Sequence, residues 1–545
     1  MVIKVFGETV KVHKDTTLYD VSRLYEDRFE KPILLAKVNG RYRELSEKVQ
    51  EDSEIEFIDL YDRFANRVYI NGLIMLLNYA AQLTFNKINI SVLHSIDKGI
   101  YLESDRVLKA DDLYRLKMSM RNLVGREIPI ERVNIERTKA INYFETIGNT
   151  SKAKLLHYTT NTYVTLYRLE YSYEYLYSKM PNNTRVLKDF DLHYLNDHGF
   201  VLQFPTPYMK EIEPYKEHDQ FEAIFREYRG WKKALSLDNV SDLNSKVGNR
   251  TIDDTIRIDE TIQSYRLLKL AQKVFENQDK IKIVLISGPS SSGKTTTCHK
   301  FSMYLKGFGL SPKKISMDDY FKDNVDAPVK EDGSKDFERP DSLDIDLFDK
   351  QIGELLSGKE VTVPTFNFIL GMKEFKNKLK LENNEILVIE GMHALNPELL
   401  KNIPNENKLK IYISPLIELN IDKLTRVQTS DNRLLRRLVR DYVTRGHSAE
   451  YSFELWKNVR EGEEKYVFPC QDYADYTFNS ALCYEIGVLK VYAEPLLYAI
   501  KEDSPYYDEA KRLIDLLSFF MPIANDAVPQ DSILREFIGK SCFYE

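Results

Sequence analysis

The chain has 545 residues, so at roughly 150 residues per domain it holds three or four domains, more than a single hydrophobic core supports. Hydrophobic residues make up 43% and charged residues 30%, with 22 Gly and 19 Pro, which excludes a collagen-like or wholly disordered polymer. With 77 Lys and Arg against 84 Asp and Glu, the net charge is −7. A chain with this net charge does not attract nucleic acid through its overall charge, so any polyanion must bind at a locally basic site.

The cysteines and apolar segments predict a cytoplasmic location. The chain has 4 Cys and no C-x-x-C pair, which argues against a disulfide framework and against a zinc finger. The N-terminus carries Lys4 and lacks an apolar stretch of signal-peptide length. The segment from Val68 to Asn86 is uncharged, but Asn71, Asn78 and Gln82 share one helical face. We therefore expect a buried amphipathic helix there and no membrane span.

Residues 1–62 alternate short strands around one helix. β-rich runs occur at Val2–Phe6, Val10–Val12, Ile33–Val38 and Ile55–Ile58, and a helical stretch follows Thr16 and Thr17. This β-β-α-β-β order resembles the TGS domain, a ubiquitin-like β-grasp module of threonyl-tRNA synthetases and some GTPases. The resemblance implies an α+β fold.

Residues 63–212 carry three segments that resemble the second N-terminal domain of threonyl-tRNA synthetase. They are 97–102, 111–113 and 126–132. That domain edits mischarged tRNA with two histidines on its first helix and a later Cys and His. Here Ile70 and Ile74 stand at the histidine positions, and the later segment 175–181 has neither residue. Because hydrocarbon side chains can neither bind a metal nor transfer a proton, we expect neither zinc nor editing activity. The nearby pair His193 and His198 is more typical of a loop than of a metal site.

The second half is predicted to be α/β. Residues 213–279 are charged and helix-prone and are interpreted as a helical linker. From 280 to 500, continuous apolar strands such as Ile283–Ile286 and Ile386–Ile389 alternate with helices, which is typical of a parallel sheet covered on both faces. Residues 501–545 are predicted to form a C-terminal helical tail that ends near Gly539.

The strongest motif is a G-x-x-x-x-G-K-T sequence between an apolar strand and a helical run. Its residues are Gly288, Pro289, Ser290, Ser291, Ser292, Gly293, Lys294 and Thr295, followed by Thr296. This composition predicts a P-loop, in which backbone N–H groups face phosphate oxygens, Lys294 neutralises charge and Thr295 offers a hydroxyl to Mg²⁺.

Two carboxylates follow further predicted strands. Asp318 comes after Lys314–Met317, and Glu390 comes after the strand that begins at Glu385. At the mouth of a parallel sheet Asp318 could take a proton from an acceptor hydroxyl and help to order Mg²⁺, while Glu390 stands in the Walker-B position for a metal ligand. An Asp that merely caps the next turn is the alternative interpretation.

A basic helix provides the third feature. Arg433, Arg436, Arg437 and Arg440 share one face, and Arg445 follows. Such a face repels itself unless an anion binds, so an arginine lid over the transferring phosphate is one interpretation. The alternative is a solvated face whose charges are balanced by nearby aspartates.

The ordered motifs of this half resemble the uridine kinase and phosphoribulokinase family over about 280–500. The motifs are 288–295, 316–318, 337–341, 364–368, 389–391, 436–446 and 473–475. The resemblance implies ATP and Mg²⁺ as cofactors, with Asp318 as catalytic base and Glu390 as a metal ligand. It also implies catalytic roles for Lys294 and for Arg437, Arg440 and Arg445 as lid arginines. Asp341, Phe366, Phe368 and Arg437 are then expected to contact the acceptor, with Asp341 holding ribose hydroxyls.

Four positions depart from the uridine kinase pattern. Gly371 replaces a base-reading histidine and Phe366 a tyrosine, while Leu455 and His447 replace a glutamine and a lid arginine. The polar groups that read the pyrimidine are therefore depleted, whereas the phosphate motifs are complete.

The leading hypothesis is an ATP-dependent kinase that acts on a sugar hydroxyl, most simply the 5′-hydroxyl of a nucleoside. A phosphoribulokinase-like kinase of another small molecule is one alternative, and a regulator that binds RNA or the ribosome through residues 1–210 is another. A GTPase is disfavoured because no N-K-x-D motif occurs, and a protein kinase because D-F-G is absent. A homo-oligomer is compatible with the sequence.

Overall fold

In its described residues, the computed structural model contains four sheets, one hairpin and helices that cover both faces of the parallel five-stranded sheet. The described residues are 1–85, 88–96, 99–175, 178–209, 211–216, 230, 235–330, 333–382, 384–417 and 419–543.

The first 60 residues form a mixed five-stranded sheet against one short helix. In spatial order its strands are β2 (Glu8–Lys11), β1 (Val2–Val5), β5 (Ser53–Asp59), β3 (Ile33–Val38) and β4 (Arg41–Glu44). Helix α1 (Leu18–Ser22) begins at a capping box in which Thr17 and Asp20 bond reciprocally. The sequence missed β4, because its residues Arg-Tyr-Arg-Glu lack the apolar run of a buried strand.

Helix α2 (Arg63–Thr84) is long, and most of its length is buried, as the uncharged segment predicted. None of the helices in the described part of the chain is long and apolar enough to cross a membrane. The helix packs against α3 (Ala110–Gly125) and a four-stranded antiparallel sheet. In spatial order that sheet contains β11 (Asp191–Tyr194), β12 (Gly199–Gln203), β7 (Gly99–Ser104) and β6 (Ile90–Ile96).

A smaller antiparallel sheet follows in the same half. It consists of β10 (Ser172–Glu174), β9 (Tyr163–Leu169) and β8 (Ile130–Glu136), with helices α4 (Arg137–Thr146) and α5 (Thr150–His157) packed on it. The segment matched to the synthetase's Cys and His includes Leu176 and Tyr177, which lie outside the described residues.

The predicted linker is partly helical. Its residues 217–229 and 231–234 lie outside the described part of the chain. The rest contains α6 (Val240–Gly248) and α7 (Ile252–Glu276), and buried side chains from 235 to 274 join the core of the second half. These two helices are therefore part of that core.

The second half is built on a five-stranded, fully parallel sheet, as the apolar strands predicted. In spatial order its strands are β14 (Ser311–Ser316), β17 (Glu385–Glu390), β13 (Ile283–Ser287), β18 (Lys408–Ser414) and β19 (Tyr476–Asn479). The strand that precedes the glycine-rich loop, β13, lies at the centre. Strands β15 (Val361–Asn367) and β16 (Met372–Leu379) form a separate hairpin.

Seven further helices complete this half within the described residues. They are α8 (Lys294–Gly307), α9 (Ile345–Leu356), α10 (Thr429–Arg445), α11 (Ala449–Gly462), α12 (Glu485–Tyr498), α13 (Tyr507–Leu517) and α14 (Arg535–Ile538). One turn of π-helix, Glu463–Val467, continues α11.

The C-terminal residues are integrated with this domain. Helix α13 and residues up to Ile538 contribute buried side chains to the same hydrophobic core as the parallel sheet. The predicted boundary at residue 500 is therefore not a break in packing. A tail that is merely appended would not place Leu534 and Phe537 at 0% exposure.

Candidate active site

The loop between β13 and α8 has the shape that its glycines predict. A Cβ added to Gly288 would stand 2.1 Å from the carbonyl oxygen of Ile413, and Gly293 has a φ of +85°. Neither position tolerates another residue without a backbone shift. The two glycines thus fix the path of the loop from the central strand to the start of α8.

The N-terminus of α8 and Lys294 form the floor of this loop. The first hydrogen bond within α8 runs from the Thr297 N–H to the Gly293 carbonyl (3.0 Å), so the preceding N–H groups point out of the helix end. Lys294 Nζ donates to the Pro289 carbonyl at 3.0 Å. Burial lowers the pKa of this ammonium, and the charges of Glu390 and Asp318 oppose that effect. The loop therefore offers donors and a cation to an anion, as a P-loop does.

The outer side of the loop is held by side chains of α10 and of the strand-end region after β19. Arg433 Nε donates to the Ser290 carbonyl (2.9 Å), Arg436 Nη1 to the Ser291 carbonyl (3.4 Å) and Ser480 Oγ to the Ser292 carbonyl (2.5 Å). With three successive carbonyl groups held from outside, the loop keeps its curled conformation.

The structure corrects the expectation that the arginine face of α10 repels itself unless an anion binds. Arg433 is 1% exposed and pairs with Glu463, and Arg436 is 0% exposed and pairs with Glu485, whose Oε2 accepts from Nε at 3.0 Å. Internal carboxylates thus neutralise two of the five arginines, Arg433 and Arg436, which support the loop rather than cover it.

The other three arginines gather on one buried aspartate beside the loop. Asp441 lies within 3.3 Å of Arg437 Nε, 3.0 Å of Arg440 Nη2 and 3.3 Å of Arg445 Nη1. Arg437 Nη1 also donates to Ser290 Oγ at 3.1 Å. Three cations on one carboxylate leave an excess of positive charge next to the loop, which suits a polyphosphate.

The two predicted carboxylates lie on neighbouring strand ends. Asp318 belongs to a short 3₁₀ turn after β14, and Glu390 ends β17, where it is paired in register with Ser316. Ser316 Oγ donates to Glu390 at 3.2 Å. Burial and then the charge of Asp318 raise the pKa of Glu390 to about 7, while Lys294 opposes the shift. The structure therefore brings Asp318, Glu390 and Lys294 into one charge cluster.

Magnesium fits the donor set at this edge. No group of three or more His, Cys, Asp and Glu side chains among the described residues is arranged to hold a metal ion by itself. Mg²⁺ commonly binds through one or two carboxylates together with water and substrate phosphates. The oxygens of Thr295, Asp318 and Glu390 match that chemistry.

Two carboxylates of the 337–341 motif lie in different surroundings. Asp341 is half exposed and pairs with Arg339 at 2.8 and 2.6 Å, which lowers the pKa of its carboxyl. Of the two carboxylates, Glu338 is the one that lies near Arg437, and burial raises its pKa to about 7. Its Oε2 is buried and has no hydrogen-bond partner among the described residues. Sequence reasoning overlooked Glu338, although it stands in the same 337–341 motif.

The hairpin adds an aromatic wall. Phe366 is buried, its ring lies 5.8 Å from that of Phe321, and its N–H donates to Asp319 at 3.1 Å. Phe368 contacts Phe366 but is 69% exposed at the hairpin tip. At Gly371 an added Cβ would stand 1.9 Å from Asn324 Nδ2, so the asparagine occupies the space that a side chain at position 371 would need.

The other candidate groups lie in the first half. His193 stacks on Tyr215 with ring centroids 4.6 Å apart, and His198 Nδ1 lies 3.3 Å from the Ser104 carbonyl. Ile74 is buried in the core around α2. The expectation of no zinc and no editing stays a prediction.

The central β13 strand, the glycine-rich loop and the strand-end acids define a P-loop kinase domain. Residues 283–486 match the model of the phosphoribulokinase / uridine kinase family. A uridine kinase of Borrelia duttonii is 32% identical over 196 residues, which are 36% of this chain and 84% of that protein. A uridine kinase of Staphylococcus haemolyticus is 28% identical over 194 residues, 35% of this chain and 84% of that protein. The chain belongs to the phosphoribulokinase / uridine kinase family.

Among solved structures, a possible uridine kinase from Bacillus stearothermophilus aligns with a TM-score of 0.26 and 17% identity. The alignment covers 36% of this chain and 89% of that one.

Proposed function

We propose that this kinase transfers the γ-phosphoryl group of ATP to a hydroxyl of a nucleoside-like small molecule, most simply the 5′-hydroxyl of a nucleoside. The observation that carries the proposal is the charge cluster of Lys294, Asp318 and Glu390 at the mouth of the loop. Transfer to an alcohol requires a phosphate cradle, a general base and a metal ligand close together, and these three residue types could supply them.

The proposed reaction gives each group of the site a role. The acceptor oxygen attacks the γ-phosphorus, the bond between that phosphorus and the β,γ-bridging oxygen breaks, and the hydroxyl proton passes to Asp318. Loop N–H groups and Lys294 hold the phosphates, and Arg437, Arg440 and Arg445 stabilise the charge of the transferring group. Thr295, Glu390 and Asp318 would hold Mg²⁺, which would neutralise phosphate charge.

The acceptor would lie between Asp318 and the aromatic wall. Glu338 is better placed than Asp341 to accept hydrogen bonds from acceptor hydroxyls, because its Oε2 is buried near Arg437 and has no hydrogen-bond partner among the described residues. Phe366 offers no polar group to a pyrimidine, and Gly371 supplies no side chain to read one. A sugar-hydroxyl acceptor is thus better supported than uridine in particular.

The first half is assigned a binding or regulatory role. Its β-grasp order and motifs favour TGS-like and synthetase-like domains without editing chemistry, and contact with RNA through residues 1–210 is the second candidate function. Filter binding to tRNA and ribosomal RNA at increasing salt tests it, since phosphate contacts give a steep salt dependence.

The function is tested with a panel of nucleosides, phosphorylated sugars and pantothenate. Each is offered to the pure protein with Mg²⁺ and either ATP or GTP, and products are read by mass spectrometry. The Lys294→Ala variant is the control, because it removes the cation from the phosphate site and leaves the sheet intact. We expect it to abolish transfer. Turnover above about a tenth of wild type in this variant would contradict the P-loop assignment.

A further inference from the structure

The phosphate loop already holds an internal anion. The N–H of Thr296, the third residue of α8, donates to Glu536 Oε2 at 3.1 Å. This N–H precedes the first hydrogen bond within α8, so it belongs to the set that faces a bound phosphate in a P-loop. A carboxylate from the far end of the chain therefore occupies one donor of the phosphate site.

Glu536 comes from a segment that lies directly on the loop. A Cβ added to Gly293 would stand 2.5 Å from Ile533 Cγ2, and the Arg436 guanidinium lies 4.9 Å from the centre of the Phe537 ring. The segment is anchored on both sides of Ile533. Asp531 pairs with Lys300 at 3.0 Å, and Leu534 is fully buried. The backbone around Glu536 is therefore fixed against the loop.

The side chain of Glu536 can leave while the segment stays. Glu536 is only half-buried, whereas its neighbours Arg535 and Phe537 are buried. Its negative charge raises the pKa of the Lys294 ammonium, against the larger effect of burial. It also raises the pKa of Glu390, to which burial and Asp318 contribute more. A rotation of this one side chain would free the Thr296 N–H and remove a negative charge from the site.

We propose that Glu536 is an internal competitor for the α- or β-phosphate of the donor nucleotide and so sets the affinity of the donor site. The proposal rests on the proposed function. A nucleotide must displace the carboxylate, so its apparent dissociation constant is the intrinsic one divided by the fraction of molecules in which the Thr296 N–H is open. Glu536 lowers that fraction.

The test compares MgATP binding by isothermal titration calorimetry in the full-length wild type, Glu536→Ala and Glu536→Gln. A charge-assisted hydrogen bond of about 1 kcal/mol corresponds to about a fivefold tighter complex in Glu536→Ala. Glu536→Gln keeps the shape and an acceptor oxygen but loses the charge, so we expect a smaller gain. Asp526→Asn removes one charge from the exposed part of the same C-terminal region and is expected to bind as the wild type does.

The outcomes of this experiment separate the competitor role of Glu536 from the proposed donor site. Equal or weaker MgATP binding in both Glu536 variants, with wild-type binding intact, overturns the competitor role and leaves the kinase proposal standing. Binding that is detected only in the variants supports the competitor role strongly. An absence of MgATP binding in all four proteins overturns the donor site itself, and the competitor role with it.

Discussion

At the residue scale, adjacent residues of the same type have different roles. Asp318 belongs to the charge cluster with Lys294, whereas Asp319 accepts the N–H of Phe366 and fixes the hairpin. In the same way, Arg436 is fully buried and pairs with Glu485, whereas Arg437 donates a hydrogen bond to Ser290 Oγ. The difference follows from which face of a turn or helix meets the loop.

The base assignment of Asp318 makes the first prediction. Asp318→Asn keeps the shape but cannot accept the acceptor's proton, so kcat should fall by at least about 10²-fold while MgATP still binds. Steady-state kinetics and calorimetry measure the two quantities. The neighbouring Asp319→Asn should act mainly on the KM of the acceptor. A loss of ATP affinity with kcat preserved would instead make Asp318 a metal or structural residue.

The raised pKa of Glu390 predicts a pH-dependent stability. Its folded pKa of about 7 exceeds the ordinary value of 4.5, so the folded protein holds this proton more tightly and loses stability as pH rises from about 4.5 to about 7. Glu390→Gln removes that cost. Thermal unfolding without Mg²⁺ measures the Tm of Glu390→Gln minus the Tm of wild type. This difference should be larger at pH 8 than at pH 5.

Magnesium provides the control for this experiment. At pH 8 the ion should raise the Tm of the wild type more than that of Glu390→Gln, because a neutral amide is a weaker ligand. A Tm difference that is the same at pH 5 and pH 8 would show that Glu390 ionises as a solvated carboxylate does.

At the element scale, the sequence predicted the strands, loops and helices whose conformation depends on residues close together in the chain. The strand, loop and helix from Ile283 to Gly307 follow from an apolar run, two constrained glycines and a helix start, all within one stretch. The carboxylates that bind the arginines and the loop from distant parts of the chain could not be predicted in this way. Glu463 lies 30 residues from Arg433, Glu485 lies 49 from Arg436, and Glu536 lies 240 from Thr296. Spacing within a helix shows which charges share a face but not what the fold packs against it.

Helix α10 and the π-helical turn should act as one support for the loop. Glu463 accepts from the Ser290 N–H at 2.8 Å and pairs with Arg433 and with Arg460. Glu463→Gln leaves the buried Arg433 without its carboxylate and should lower the free energy of unfolding by about 3–5 kcal/mol, whereas Arg433→Met should cost less because Glu463 keeps Arg460. The double variant should lose clearly less than the sum, as urea unfolding can measure. Additive losses would mean that the two residues stabilise the loop independently.

At the scale of the whole molecule, the two halves share a polar interface. The Val92 N–H donates to the Lys423 carbonyl (2.8 Å), and the Tyr42 N–H donates to Asp508 (3.1 Å). Arg67 of α2 contacts Asp431, the third residue of the arginine helix α10, at 3.1 Å. The first half therefore touches the helix that supports the phosphate loop. Sequence resemblance, which treats the domains one by one, does not predict these contacts.

A buried lysine at this interface gives the last prediction. Lys152 is 0% exposed, pairs with Glu174 of its own half and lies 3.9 Å from Asp422 of the other. Lys152→Met leaves two buried carboxylates with less compensation and should cost about 3–5 kcal/mol in urea unfolding. Lys154→Met, on the exposed side of the same helix, should cost less than about 0.5 kcal/mol. Similar losses in both variants would contradict a special role for Lys152.

The sharing of charges across the interface bears on how this chain differs from its shorter relatives. Asp422 and Asp431 are both 1% exposed, and each has a cation supplied by the first half, Lys152 and Arg67 respectively. Arg512 of the second half also pairs with Asp431, but Asp422 has no other salt bridge within the described residues. A chain cut back to the matched 283–486 region would lose Lys152 and would expose to solvent the side of Asp422 that the first half covers. The burial of this carboxylate in the kinase domain therefore depends on a cation that the first half supplies.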